Sequence, residues 1–399
     1  MKNLSPLYWI IKISAVAACI LSIIALPGCS DDPSSLGVGL IPQEDFLNAD
    51  TITAYSTTER SYLSQRNLGS SQTFAVGRSG SLTAEALIKF LSIPDTMKES
   101  TVNSVELILF PNYIAGDSTG TFSFNVYKVT NGWTESGFTW DSLTALTYDG
   151  TSLGAFSGAV TDSDSVVVSL SPQLLSDWFT DAEEGLSIYG LILRSPGASG
   201  PGTVIRGFNS FESSETARIP RLRIIATKNS VIDTFDLESG YDTFVLNGPA
   251  LVDPGKSLYV HPTLGYSGML VFDVSAIPHK AVVHRATMEL SLDPRYSFYS
   301  RPALDSVIAT FIVDSMARSD LYDSNLPISE RSGNVYTLNI SRMVQRWANG
   351  FPNQGVRIKS YDDYIGSSAL GGVNPFVFYN SQSDASLRPR LKIIYSTIR

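Results

Sequence analysis

The stretch Ile219-Pro-Arg-Leu-Arg-Ile-Ile225 occurs a second time, almost unchanged, as Arg388-Pro-Arg-Leu-Lys-Ile-Ile394. The same spacing that separates the two prolines also separates Trp178 from Trp347, each of which stands near the end of a short apolar segment. Two anchors at one spacing predict two copies of one module, and such a repeat determines the organisation of the whole chain.

The composition is that of a globular protein. The chain has 399 residues, enough for two domains with separate cores. Hydrophobic residues make up 43% and charged residues 17%, which argues against disorder. The formal net charge of −9 argues against nucleic acid as a partner, because nucleic-acid binding needs basic surfaces that neutralise phosphates.

The N-terminus has the features of a secretion signal. Lys2 and Lys12 flank its start, and the apolar run 13–26 ends in Leu-Pro-Gly-Cys29. This end resembles a bacterial lipobox, although its proline departs from the usual small or aliphatic residue. We therefore predict a lipoprotein signal peptide at 1–28 and a lipid on Cys29, which would anchor the protein to a membrane. An uncleaved anchor helix and an ordinary signal peptide are the alternatives.

Residues 29–49 are predicted to form a tether, because they lack periodicity and contain several Gly and Pro residues. Ser30-Asp31-Asp32 resembles the surface-export signal of Bacteroidetes-type lipoproteins, and a merely polar tether is the alternative. The expected location is the outer membrane or the cell surface. Cys19 would be lost with the signal peptide, so the mature chain would hold no thiol apart from Cys29.

The rest of the chain alternates between apolar and polar residues with a period of two, which is typical of half-buried strands. Clear examples are 86–91, 105–109 and 122–126. The segment 171–178 differs, since Ser171 suits a helix N-cap and is followed by a proline. We predict an all-β fold of two tandem, jelly-roll-like β-sandwich domains, at 50–228 and 229–399, each with one short helix.

The segment 132–140 contains two tryptophans close to glycines and a carboxylate. Trp133 and Trp140 are candidate ligand-binding residues, because aromatic faces can stack on sugar rings. The alternative, which we prefer, is that they pin a long loop against the sandwich, since large aromatic side chains are usually well buried.

The order of these elements resembles a known family. The elements are an Ala-Leu-Ile-Lys-Phe strand ending in Ile93-Pro94, the strand 102–107, the two-tryptophan segment, the helix with Trp178, the strand 189–193 and Pro220-Arg-Leu. Together they resemble the DNRLRE domain, a β-sandwich grouped with carbohydrate-binding module family 96. The resemblance implies a non-catalytic extracellular module, which in some members binds acidic polysaccharides such as alginate.

The second copy repeats most of this order, but Val313–Pro327 replaces the two-tryptophan segment and contains no tryptophan. If that segment binds a ligand in the first copy, the second copy is expected to have lost this function. It would then act as a spacer or pack against its neighbour.

The sequence offers little for catalysis. Its three histidines, His261, His279 and His284, all lie in the second copy and lack metal-ligand spacing. A Ser-His-Asp or Cys-His arrangement is therefore excluded from the first copy. Two facing carboxylates would suffice for a glycosidase, but no acidic pair stands out. We expect no enzymatic activity and no cofactor. Asp162 and Asp164 are weak candidates for calcium ligands, with a solvated turn as the preferred alternative.

Arg221 and Arg223 alternate with apolar residues, so both side chains are expected on one face of a strand. They are candidate contacts to an anionic sugar. The preferred alternative is a solvated face or salt bridges to a neighbouring strand.

The sequence thus predicts a lipid-anchored surface protein that binds extracellular polysaccharide through its first sandwich. The alternative is a structural or adhesive surface protein, or a scaffold for another envelope protein. An enzyme acting on glycans is a third hypothesis and ranks last.

Overall fold

The computed structural model describes residues 49–397 except for 65, 92, 118, 160–164, 184–189, 197–202, 249–251, 298–304, 317–318, 322–324, 362–372 and 374. Cys29 and the candidate calcium ligands Asp162 and Asp164 lie outside the described residues. The described chain is mostly antiparallel β-sheet with two α-helices, which confirms the predicted all-β sandwich fold.

The strands of the first half are β1 (Ala49–Leu63), β2 (Thr73–Ser79), β3 (Leu82–Phe90), β4 (Thr101–Leu109), β5 (Pro111–Gly116), β6 (Phe122–Lys128), β7 (Gly154–Gly158), β8 (Val166–Leu170), β9 (Leu191–Arg194), β10 (Thr203–Asn209), β11 (Arg221–Lys228) and β12 (Val231–Asn247). Those of the second half are β13 (Leu258–Val260), β14 (Tyr266–Phe272), β15 (Val282–Ser291), β16 (Val307–Asp314), β17 (Ser319–Leu321), β18 (Glu330–Ser332), β19 (Val335–Asn339), β20 (Val356–Ser360), β21 (Phe376–Phe378) and β22 (Arg390–Ser396).

These strands build two sandwiches. Strands β2 to β12 form one connected sheet of eleven strands, whose main path runs β5-β10-β2-β3-β12-β11-β4-β8 and whose branch contains β6, β7 and β9. A nine-stranded sheet runs β17-β16-β20-β14-β1-β22-β15-β19-β18, and β13 pairs with β21 beside it. Each connected sheet folds over one hydrophobic core, and we call these the first and the second sandwich.

Strand β12 connects the two halves of the first sandwich. Its residues 231–238 pair with β11, and its residues 239–247 pair with β3, with a register shift between Ser239 and Tyr241. A bulge of this kind bends a strand, so one strand can pass from one sheet of a sandwich to the other.

Strand β1 has the same role in the second sandwich. Residues 49–55 pair with β22, residues 56–63 pair with β14, and the register shifts between Ser56 and Thr58. The first strand of each repeat therefore lies in the sandwich of the other repeat. In chain order, the first sandwich is inserted into the second, between β1 and β13.

The division of the chain at residues 228 and 229 stays a prediction of where the sequence repeats meet. Strand pairing crosses this division in both directions, through β1 and through β12.

The helices occupy equivalent places in the two repeats. Helix α1 spans Gln173–Glu183, and α2 spans Ser341–Ala348. Trp178 is 1% exposed and lies 6.2 Å from Phe90, measured between ring centres. Trp347 lies at the same distance from Phe311. The two helices were predicted, and α1 continues beyond the segment 171–178 in which the sequence indicated it.

A glycine precedes the strand that follows each helix. Gly190 and Gly355 have φ values of +86° and +92°, and a Cβ at either position would lie 2.1 or 2.3 Å from a backbone oxygen, that of Ile88 or of Leu270. Both the left-handed backbone and the close approach of the opposite strand require glycine here.

Candidate functional site

The outer face of the first sandwich, opposite its core, combines charged and aromatic side chains. On β3, Ala84, Ala86 and Ile88 face the core, whereas Glu85 and Leu87 lie on the other face. Leu87 belongs to a small apolar cluster on that face, which we call the loop cluster. Its buried members are Leu87, Val129, Phe138, Leu146, Ile192 and Val245.

Glu85 is only 4% exposed, and a carboxylate buried to this extent needs a cationic partner. Arg194, on the neighbouring strand β9, provides one. Its Nε donates to Oε2 of Glu85 at 2.8 Å, and its Nη2 donates to Oε1 at 3.0 Å. Arg194 also donates to the hydroxyl of Tyr148, and its guanidinium lies 5.0 Å from the centre of the Tyr148 ring.

Burial opposes the charge on Arg194, but the hydrogen bonds and negative charge of Glu85, helped by Tyr148, outweigh it and raise the pKa of Arg194. A planar guanidinium held by two parallel hydrogen bonds and an aromatic ring has little freedom to rotate. The pair therefore forms a fixed polar floor.

Trp140 stands beside this floor at the start of a 3₁₀ helix, Trp140–Thr144. Two hydrogen bonds between Thr139 and Ser142 hold the start of this helix. The Thr139 N–H donates to Oγ of Ser142 at 3.1 Å, as in a capping box, and the Ser142 N–H donates to the backbone carbonyl of Thr139 at 3.0 Å in the first 3₁₀ turn. Trp140 is half-buried and packs on the loop cluster, which leaves part of its ring accessible.

The base of the loop is closed by Asn131. Its Nδ2 donates to the carbonyl of Ala145 at 2.9 Å, and its Oδ1 accepts from the N–H of Thr147 at 2.8 Å. These hydrogen bonds join the two ends of the loop. Trp140 is therefore held in place by them as well as by packing.

Floor and loop enclose a cavity of about 570 Å³, which we call the Trp140 cavity. It is lined by Arg78, Thr83, Glu85, Asn125, Tyr127, Trp140, Arg194, Ser195 and Pro196. The Tyr127 ring lies 5.3 Å from that of Tyr148, and its hydroxyl accepts a hydrogen bond from Nδ2 of Asn125 at 3.3 Å. Aromatic walls with a few fixed polar groups are characteristic of small-ligand sites of this size.

The two candidate tryptophans have different positions. Trp133 packs within the loop cluster, with its ring edge-to-face to Phe138 at 6.1 Å. Trp140 packs there too but also lines the cavity. Both therefore contribute to holding the loop, as the preferred interpretation of the sequence expected, and their role in ligand binding stays a prediction.

Arg221 and Arg223 lie on β11, away from the Trp140 cavity. Arg223 makes two hydrogen bonds to Asp236 on β12, from Nε to Oδ1 at 2.9 Å and from Nη2 to Oδ2 at 3.0 Å. Arg221 donates to the carbonyl of Ala217 and stacks on Phe110 with its guanidinium 5.1 Å from the ring centre. Arg223 therefore has a salt bridge to a neighbouring strand, one of the alternatives drawn from the sequence. Arg221 has a backbone carbonyl and an aromatic ring as partners instead, and a ligand contact would compete with these interactions.

Within the described residues, no group of three or more His, Cys, Asp or Glu side chains is arranged to hold a metal ion. In the same part of the chain, no helix is long and apolar enough to cross a membrane. Calcium at Asp162 and Asp164 stays an untested prediction, because these residues lie outside the described part.

The second sandwich has a different cavity, of about 360 Å³, at the end of α2, where Trp347 and Phe351 meet the polar Asp273, His279 and Asn353. Asn353 is structural there: its Nδ2 donates to the carbonyl of Phe272 at 2.7 Å, and its Oδ1 accepts from the N–H of Gly355 at 3.1 Å. The Asn-x-Gly pattern in this copy therefore shapes a turn.

Of the nine residues that line the Trp140 cavity, only Trp140 was predicted from the sequence; the others include the polar Arg78, Glu85, Asn125, Tyr127 and Arg194. A usable signal was present for two of them, since Glu85 is one of two charges in the mostly apolar β3 and Arg194 is the single charge in β9. A buried charge demands a partner, but the sequence does not show that β3 pairs with β9, which lies far along the chain.

The model of carbohydrate-binding module family 96 matches residues 49–163. This region contains a domain similar to that family of non-catalytic binding modules, and it includes Trp140, Glu85 and Tyr127. The match covers less than a third of the chain, and Arg194 lies beyond it. No curated protein shows a significant match to the chain.

Proposed function

We propose that the protein binds a polysaccharide in the Trp140 cavity and that it does so without catalysis. The observation that carries this proposal is the pairing of an anchored, partly accessible indole with a fixed polar floor. Sugar rings have apolar C–H faces and hydroxyl edges, so they fit a site in which aromatic rings stand beside guanidinium, amide and hydroxyl groups.

The charges of the cavity favour an anionic sugar. Two arginines, Arg78 and Arg194, and one carboxylate, Glu85, line it, so their net charge is positive on a chain whose formal net charge is −9. The Arg194 charge is shared with Glu85, which leaves Arg78 as the main attraction for a uronate or sulfate group. This agrees with the acidic polysaccharides that the family resemblance implies.

The test is binding of the soluble chain from residue 30 onward to a panel of neutral and uronic-acid polysaccharides. Trp140→Ala should weaken binding roughly tenfold, equivalent to ~1.4 kcal/mol, because it removes the stacking surface. Phe351→Ala is the matched control, since it removes an aromatic ring that is 54% exposed in the other sandwich, and it should leave binding unchanged.

A folded wild-type chain that binds none of the panel would overturn this proposal. Crosslinking to an envelope protein partner would then support the scaffold hypothesis.

We further propose that Cys29 carries a lipid that anchors the protein at the outer membrane or cell surface. The support is the apolar run that ends in Leu-Pro-Gly-Cys29. Cys29→Ala should abolish incorporation of a labelled fatty acid and release the chain from the membrane fraction. Cys19→Ala removes a thiol within the same signal and should change neither. Labelling that persists in Cys29→Ala would contradict the assignment.

A further inference from the structure

Trp140 also lines a second cavity, of about 210 Å³. We call this the inter-sandwich cavity, because both sandwiches contribute to it. The first supplies Val245 and Asn247 from the end of β12, and the second supplies Leu63 from β1 together with Thr263 and Tyr266 near the start of β14.

The second-sandwich wall of this cavity is well fixed. The Ser64 N–H donates to the carbonyl of Gly265 at 2.9 Å, which ties the end of β1 to the turn before β14. Tyr266 packs edge-to-face on Tyr259, with ring centres 5.0 Å apart. The wall therefore presents its groups in one arrangement, as a binding surface requires.

The two cavities lie along one continuous surface. Val245 and Asn247 lie beside Glu85 and Thr83 in the register of β12 and β3, so the outer face that floors the Trp140 cavity extends into the inter-sandwich cavity. Trp140 stands at the junction and borders both spaces.

Size decides how the second cavity can be used. Ligand pockets usually measure about 300–1,000 Å³. The Trp140 cavity falls within this range, whereas the inter-sandwich cavity falls below it and is too small for an independent site. Its polar lining residues, among them Asn247, Thr263 and Tyr266, nevertheless suit a sugar.

We propose that one polysaccharide chain occupies both cavities and passes over Trp140. Binding then extends over several consecutive sugar units within a chain, and the second sandwich contributes a subsite although its own copy of the two-tryptophan segment is absent. This inference rests on the proposed function and specifies the ligand as an internal stretch of polymer and not a terminal sugar.

The test is the dependence of affinity on chain length, with mannuronate and glucose oligomers of one to eight units as probes. For the series that binds, affinity should rise at least tenfold from short to long oligomers and then level off. Asn247→Trp fills the inter-sandwich cavity from an exposed strand end. It should remove this gain and leave the affinity for the shortest binding oligomer unchanged.

Thr234→Trp is the matched control, because it places the same side chain at an exposed position of β12 in the stretch that pairs with β11, and it should retain the gain. If short oligomers bind but length adds nothing, or if Asn247→Trp keeps the full gain, the two-cavity inference is wrong while the proposed function stands. If no oligomer or polymer of either series binds the folded chain, both are wrong.

Discussion

His261 is a fully buried histidine at the start of a tight turn in the second sandwich. Its Nδ1 accepts the N–H of Leu264 at 3.3 Å, and its ring lies 6.1 Å from that of Tyr259. Burial alone lowers the pKa of His261 from 6.5 to about 3. The unfolded chain therefore takes up a proton below pH 6.5 that the folded chain takes up only near pH 3.

This difference makes the folded state sensitive to acid. The contribution of His261 to the free energy of unfolding is complete above pH 6.5 and is lost as the pH falls towards 3, by up to about 1.4 kcal/mol for each pH unit. In His261→Asn, an amide oxygen can still accept the Leu264 N–H. Urea unfolding at pH 7, 6, 5 and 4 should show a shallower decline for this variant than for the wild type, and equal slopes would contradict the assignment.

The effect of Asp242 on stability has the opposite pH dependence. It is 1% exposed on β12, and its Oδ2 accepts the N–H of Phe211 at 2.7 Å. Burial raises the pKa of Asp242 well above 3.8, the charges of Glu212 and Glu135 raise it further, and the Phe211 hydrogen bond opposes the shift only in part. Burial also raises the pKa values of Glu135 and Glu212. The folded state therefore disfavours the ionised form of Asp242.

A raised carboxyl pKa favours the folded state at low pH, and this advantage is lost as the pH rises from 3.8 through the raised value. Asp242→Asn keeps an acceptor for the Phe211 N–H and cannot ionise. We expect its free energy of unfolding at pH 7 to rise by on the order of 1 kcal/mol, since one pKa unit corresponds to about 1.4 kcal/mol. Asp233→Asn, at an exposed position of the same strand, should have little effect. Lower stability of Asp242→Asn would show that the ionised carboxylate has a partner of its own.

At the scale of elements, two glycines allow two energetic costs of replacing a glycine to be measured separately: the cost of a left-handed backbone and the cost of a steric clash. Gly355 and Gly333 both have positive φ, but a Cβ at 355 would lie 2.3 Å from the Leu270 carbonyl oxygen, whereas one at 333 would contact nothing within 4 Å. Gly333→Ala should cost about 1–2 kcal/mol for the left-handed backbone alone. Gly355→Ala should cost roughly 1–3 kcal/mol more, because the opposite strand must move. If urea unfolding shows similar losses in the free energy of unfolding for the two variants, β14 and β20 can move apart at little cost.

The elements themselves were largely predictable. Alternation of period two located β3, β4 and β6, because it depends on which face of a strand is buried. A capping serine followed by proline located α1. Strand partners were not predictable in this way. The same alternation in β1 would fit any sheet with one buried face, so the pattern indicates the buried side but not the neighbour.

Prediction of the site from the sequence has the same limit. Trp140 was found because tryptophans close to glycines are conspicuous in a sequence. Its position on the floor formed by Glu85 and Arg194 depends on the pairing of β3 with β9 and β6, which brings together residues from distant parts of the chain. Asn125 and Tyr127 are two residues apart on β6 and so share a face, but this spacing does not show that Arg194 lies next to them.

At the scale of the molecule, the exchange of first strands joins the two repeats. β12 contributes Phe244 and Leu246 to the first core, and β1 contributes Ala54 to the second. The first sandwich is thus continuous in the chain from β2 to β12, whereas the second needs β1 from the other side of that insertion. A cut between residues 228 and 229 would separate each sandwich from the strand that connects its two halves.

We therefore expect a fragment of residues 66–248 to fold cooperatively, because it contains every strand of the first sandwich, and a fragment of residues 50–228 to fail. The fragment 50–228 lacks β12, so β3 and β11 lose the strand that pairs with both. It also contains β1 without its partners β14 and β22. A fragment of residues 50–248 is the control: it restores β12, and β1 should add nothing to its stability. Amide dispersion in NMR spectra and thermal unfolding of the three fragments measure this directly. Cooperative unfolding of 50–228 would mean that β1 can replace β12 and that either first strand can close the first sandwich.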